Sequence, residues 1–128
     1  MNEETSTPMV MAPLSLKSAK LAEAIYNTYI AENEPYLTIS LESLCRLFNL
    51  EDSYESYVYL QGLFEELNEP VLVEDFVFRG HFYKWEVVSF CSFDKDWKKG
   101  DAFLEVTINE LFLAAMKERM VDPFISLH

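Results

Sequence analysis

The chain has 128 residues, 50% of them apolar and 15% aromatic, with a formal net charge of −12. Such a length and composition fit one folded domain with a buried core rather than a disordered chain. The acidic balance excludes a broad nucleic-acid or anionic-membrane surface, because either would need clustered cations.

In chain order, residues 1–12 are acidic and weakly apolar, a flexible tail rather than a signal peptide, which leaves 13–128 as a single domain. Pro13 precedes a helix over "LSLKSAKLAEAIYNTYIAEN". There Leu14, Ser18, Leu21, Ile25, Thr28 and Tyr29 form one stripe, and Pro35 stops the helix. "YLTIS" is a short strand, with Ser40 as N-cap of a second helix, "LESLCRLFNL", buried through Leu44, Leu47 and Phe48. Asp52 or Ser53 caps a third helix whose inner face is Tyr57, Leu60, Phe64 and Leu67, ended by Pro70.

The second half changes period. "VLVEDFVF" and "HFYKWEVVSFCSF" are strands joined by a tight turn at Arg79-Gly80, with Tyr83, Trp85 and Val87 alternating with Lys84, Glu86 and Val88. After the polar turn "DKDWKKGD" comes the strand "AFLEVTI", with Leu104, Val106 and Ile108 on one face. Asn109 caps a last helix, "ELFLAAMKERM", with Lys117 and Arg119 in its final turn complementing the dipole. The order is α+β and matches a winged helix: three helices, a β-ribbon wing and a C-terminal helix.

Several residues carry a resemblance. "LSLKSAKLAEAIYNTY" as opening helix, "LTISLESLCRLFNLEDSYESYVYLQGLFEEL", the strand ending "EVVSF", the junction "KKGDAFLEVTINEL" and the closing "FISLH" together resemble the N-terminal winged-helix domain of plasmid replication initiator proteins. The resemblance runs from Leu14 to Phe124 and implies a plasmid, phage or similar mobile-element origin. It also implies a scaffold used for dimerisation and some DNA-backbone contacts. Two departures weigh against origin reading: the sequence ends before the family's second winged helix would begin, and the third helix lacks the family's basic residues.

The charge pattern sharpens the second departure. From Leu47 through Phe78 there is no Lys or Arg and there are eight Asp or Glu. Gln61 and Asn68 are the base-reading residue types on the third helix, but Glu55, Glu65, Glu66 and Glu69 would then meet phosphates. Glu51, Asp52, Tyr54, Glu55, Tyr59, Glu65, Glu66 and Glu69 therefore read as a solvated face or as a docking face for a protein partner with a basic surface. An extreme form of the second reading is an inhibitor that mimics nucleic acid.

Nucleic-acid contact, if it occurs, falls to the wing and the turn after it: Arg79, His81, Lys84, Lys95, Trp97, Lys98 and Lys99. The simpler reading is a set of solvated turn residues balanced by Asp94, Asp96 and Asp101. The aromatic ribbon (Phe76, Phe78, Phe82, Tyr83, Trp85, Phe90 and Phe93) exceeds what one side can bury, so a homodimer is expected.

Enzyme signatures are lacking. Gly62, Gly80 and Gly100 form no phosphate loop, His81 and His128 sit in a turn and at the terminus, and no G-x-S-x-G or H-E-x-x-H occurs. No catalytic residue, cofactor or metal is assigned. Cys45 and Cys91 lack C-x-x-C spacing and read as thiols of a reduced compartment. The longest apolar run, Leu111 to Met116, is too short to span a bilayer, so a soluble, cytoplasmic protein without a membrane partner is expected.

Overall fold

A computed structural model describes residues 13–94 and 103–127. Its nine elements, counted among those residues, are α1 (Leu16–Glu32), β1 (Tyr36–Ser40), α2 (Leu41–Leu47), α3 (Tyr54–Leu67), β2 (Val71–Phe78), β3 (His81–Val88), β4 (Cys91–Phe93), β5 (Phe103–Ile108) and α4 (Glu110–Lys117). The protein is thus mixed α+β, with four helices and two small antiparallel sheets.

Short polar side chains set the helix starts, as the sequence leads one to expect. Ser15, Ser40 and Ser53 each accept the backbone N–H of the residue three further on, at 3.2 Å, and Asn109 accepts from Leu111. The ends are less as expected. α1 stops at Asn33, left-handed at φ 60°, whose N–H returns to the Tyr29 carbonyl at 2.8 Å before Pro35 is reached. α4 stops at Lys117, so Arg119 lies beyond the helix rather than in its last turn. It is left-handed (φ 63°) and pairs with Asp122 at 2.9 Å.

The three-stranded sheet has the order β1-β5-β4. β1 runs antiparallel to β5 from Tyr36↔Thr107 to Ser40↔Phe103, and β4 to β5 from Cys91↔Ile108 to Phe93↔Val106. Period-two alternation turns Leu37, Leu104, Val106, Ile108 and Cys91 inward, onto Leu21 and Ile25 of α1, Leu44 of α2, and Leu60, Phe64 and Leu67 of α3. Phe90 and Phe112, both fully buried and edge-on at 5.5 Å, close the far side. A backbone bond from Leu14 N–H to the Phe124 carbonyl (3.1 Å) joins the two ends of the described chain.

The ribbon corrects the sequence reading twice. "HFYKWEVVSFCSF" is not one strand: β3 ends at Val88 and β4 starts at Cys91, in the other sheet. Phe90 makes the break, because its ring is buried in the core and its carbonyl accepts the Asn109 N–H at 2.9 Å.

The faces also differ. Trp85 is 62% exposed and Val87 38%, whereas Val88 is buried. The register sets this, because Val87 and Trp85 pair with Leu72 and Glu74, the outward neighbours of the buried Val71 and Val73. Asp75 sits in β2 with φ 52°, between Glu74↔Trp85 and Phe76↔Tyr83, and reverses the pleat beyond that point. Val71 and Val73 point inward before it and Phe76 after it, so residues of one parity do not share one face along the whole ribbon.

Candidate functional site

The outward face of α3 is the region the acidic sequence singles out. Ser53 starts the helix, and Tyr57, Leu60, Phe64 and Leu67 anchor it by burial, so the opposite side chains must face water. Tyr54 (69% exposed), Val58 (47%) and Tyr59 (40%) lie on that outer side with Glu55 and Glu65; Glu51 and Asp52 are exposed just before the helix, and Glu69 just after its end at Leu67. Gly62 is exposed in the middle of this face, and a Cβ built there meets nothing within 4 Å. At one margin the Tyr59 ring stands edge-on to Phe48 (6.4 Å), and the Lys20 ammonium lies 5.7 Å from the centre of the same Phe48 ring.

Two polar residues of α3 are turned to other work. Glu66 caps the first turn of α1: one carboxylate oxygen accepts the Ser15 N–H (3.0 Å), and the other accepts the Ser15 hydroxyl (2.9 Å) and the Ser18 hydroxyl (2.6 Å). The Ser18 hydrogen bond holds the Glu66 carboxyl below its ordinary range, against the opposing effect of burial, with both Ser15 bonds adding to the lowering. Of the eight residues expected on the acidic face, Glu66 is thus exposed but tied by its carboxylate to the start of α1.

Asn68, expected as a base reader, is folded inward. Its Oδ1 accepts the Cys91 N–H at 2.7 Å, and its Nδ2 donates to the Phe64 carbonyl at 2.9 Å and to the Cys91 sulfur at 3.5 Å. Burial pushes the Cys91 thiol up to about 12. Cys45 and Cys91 are both free and buried.

The cations expected on the ribbon divide. Arg79 donates to Glu110 of α4 at 2.8 Å and lies 4.7 Å over the Phe78 ring. The Tyr29 hydroxyl of α1 donates to the other Glu110 oxygen at 3.2 Å, so the hairpin tip is clasped to two helices. The Arg79 guanidinium holds the Glu110 carboxyl below its usual range, and burial followed by that carboxylate raises Tyr29.

His81 stacks at a tilt on Tyr83, 4.4 Å between centres, and Lys84 is exposed on β3. Lys95, Trp97, Lys98 and Lys99 lie outside the described residues. The Arg79–Glu110 pair lines two clefts. One is of about 450 Å³ beside Tyr36, Ser92 and Thr107; the other is of about 200 Å³ beside Tyr26, Tyr29 and Lys117. In the larger cleft the Arg79 charge is offset by Glu110, beside the hydroxyl groups of Ser89, Ser92 and Thr107.

Among the described residues no group of three His, Cys, Asp or Glu side chains is placed to hold a metal ion, and no helix is long and apolar enough to cross a membrane. Sequence reasoning missed the Glu66–Ser18, Asn68–Cys91 and Arg79–Glu110 contacts. Only the third left a signal, an Arg where a left-handed turn position favours Asn or Asp. No protein-family model, curated protein or solved structure matches the chain.

Proposed function

We propose that this is a non-enzymatic winged-helix protein that works by docking a protein partner of basic surface onto the outward face of α3. The winged-helix reading is supported by α2 and α3 lying between β1 and the β4–β5 hairpin, with β1 pairing beside β5. In that reading β4–β5 takes the place of the wing, rather than the Arg79–Gly80 hairpin to which the sequence assigns it, and β2–β3 is an additional ribbon between α3 and the wing. The resemblance to initiator domains agrees with such a scaffold.

One observation carries the partner reading. The face where a reading helix would present cations instead presents Tyr54, Val58 and Tyr59 among Glu55, Glu65 and Glu69, and α3 has no Lys or Arg. Exposed aromatics anchor protein contacts and carboxylates steer a cationic partner, whereas the same carboxylates would repel phosphates.

Affinity capture from a host lysate, read by mass spectrometry, tests it against the variant Glu65→Lys with Glu69→Lys and against Tyr54→Ala. A basic partner that both variants lose is the expected result, and capture unchanged in both sinks the reading. Duplex binding that falls steeply with salt and weakens on Lys98→Glu with Lys99→Glu would move the function to the turn.

A further inference from the structure

We infer that two copies of this chain associate along the open edge of β3, antiparallel and two-fold about Trp85, so that Lys84 of each copy faces Glu86 of the other. The surface is distinct from the α3 face, so either proposal can fail without the other.

The ribbon is a sheet of two strands, and β2 is the only described strand paired with β3. An isolated hairpin is marginal in water and leaves a row of unpaired N–H and C=O groups along each edge. The two edges are not equivalent. β2 is kinked at Asp75 (φ 52°) and lies against α4, whereas no described residue of β3 has a positive φ. Among the described residues, the edge without a left-handed residue is the one left open.

Beside that edge lies apolar surface that nothing described covers: Val77 is 62% exposed, Phe82 57%, Trp85 62% and Val87 38%. At about 150–250 Å² for a whole aromatic side chain, these four expose roughly 400 Å², a size that marks contact sites.

Charge identifies the occupant. A second copy also carries −12, so its acidic surfaces repel this one, and association needs a near-neutral strip. β3 is such a strip, with one Lys and one Glu. Charge also narrows the register, and one centring turns the two charges to advantage. Pairing centred on Lys84 sets Lys against Lys, and pairing centred on Glu86 sets Glu against Glu. Centring on Trp85 opposes Lys84 to Glu86 twice and places the two Trp85 rings together at the axis. The product is a four-stranded antiparallel sheet shared by two copies.

Sedimentation equilibrium of the full chain over a concentration series is the test, with circular dichroism to confirm folding of each variant. The expected mass rises from the 14.9 kDa of one chain towards twice that value. Lys84→Glu weakens the dimer roughly tenfold, because two attractive cross-strand pairs become repulsive. Lys84→Glu with Glu86→Lys restores it, because the pairs re-form with their signs exchanged. Trp85→Cys, at the axis, cross-links on oxidation while the buried Cys45 and Cys91 do not. A single-chain mass at every concentration overturns the proposal, and so does a dimer that Lys84→Glu leaves unchanged or that the double variant fails to restore.

Discussion

Glu66 of α3 accepts the Ser18 hydroxyl of α1 at 2.6 Å, and Ser18 is fully buried. The contact ties the two helices together and places a carboxylate at the positive end of α1. Because the folded carboxyl titrates below its ordinary value, the unfolded chain binds the proton more readily. The contribution is therefore fully present above the unfolded pKa, near 4.3, and is lost as pH falls through the lower folded value. Glu66→Gln should cost about 1 kcal/mol at pH 7, with the difference from the parent shrinking below pH 4. Urea unfolding of both proteins between pH 3 and 7 checks the magnitude and the sign.

Asn68 joins the end of α3 to the start of β4 through the Cys91 N–H. Asn68→Ala leaves that buried donor without its partner and should cost about 1–3 kcal/mol. Asn68→Asp keeps the acceptor for Cys91 but sets a carboxylate oxygen against the Phe64 carbonyl at the negative end of α3, so it should also destabilise at pH 7. Urea midpoints are the readout, and midpoints of both variants equal to the parent's would remove Asn68 from the structural account.

Arg79 occupies a left-handed position (φ 51°) before Gly80 (φ 80°), where Asn is the residue at ease. Arg79→Ala gives up the Glu110 contact while keeping the backbone strain, at a cost of about 1 kcal/mol. Arg79→Asn relieves the strain and recovers part of that loss. In both variants the Glu110 carboxyl should rise towards its ordinary range, since Arg79 is the main cause of its lowering. Carbon-detected NMR titration of Glu110 measures this directly.

Gly62 separates stability from docking. A methyl group there meets nothing within 4 Å, so Gly62→Ala should stabilise α3 by about 0.5–1 kcal/mol. If a partner backbone comes close to α3 at this point, the same substitution weakens its capture. A higher melting temperature with weaker capture is the expected pair of results.

Much of the fold was legible because its signals are local. Ser40 and Asn109 cap as the spacing requires, Arg79-Gly80 turns the hairpin, and the Leu60–Phe64–Leu67 stripe is buried. What was not legible depends on partners far along the chain. Trp85 and Val87 alternate like a buried face, and only their register against Glu74 and Leu72, the outward residues of the opposite strand, puts them outside. Phe90 sits within a continuous β-branched and aromatic run, and only its packing on Phe112 splits that run between two sheets. At the candidate site, Tyr54, Glu55 and Glu65 could be placed from helical period alone, whereas Glu69 falls past the helix end. The engagement of Glu66 and Asn68 could not, because their partners lie 48 and 23 residues away.

The bond between Leu14 and Phe124 has a topological consequence. The first and last described segments meet one hydrogen bond apart, so a short peptide joining them would add no span across the molecule. New ends could then be opened between α2 and α3, where Glu51 and Asp52 are exposed, without cutting any strand pair. The architecture is therefore suited to circular permutation, with α3 becoming the leading helix and α2 the closing one.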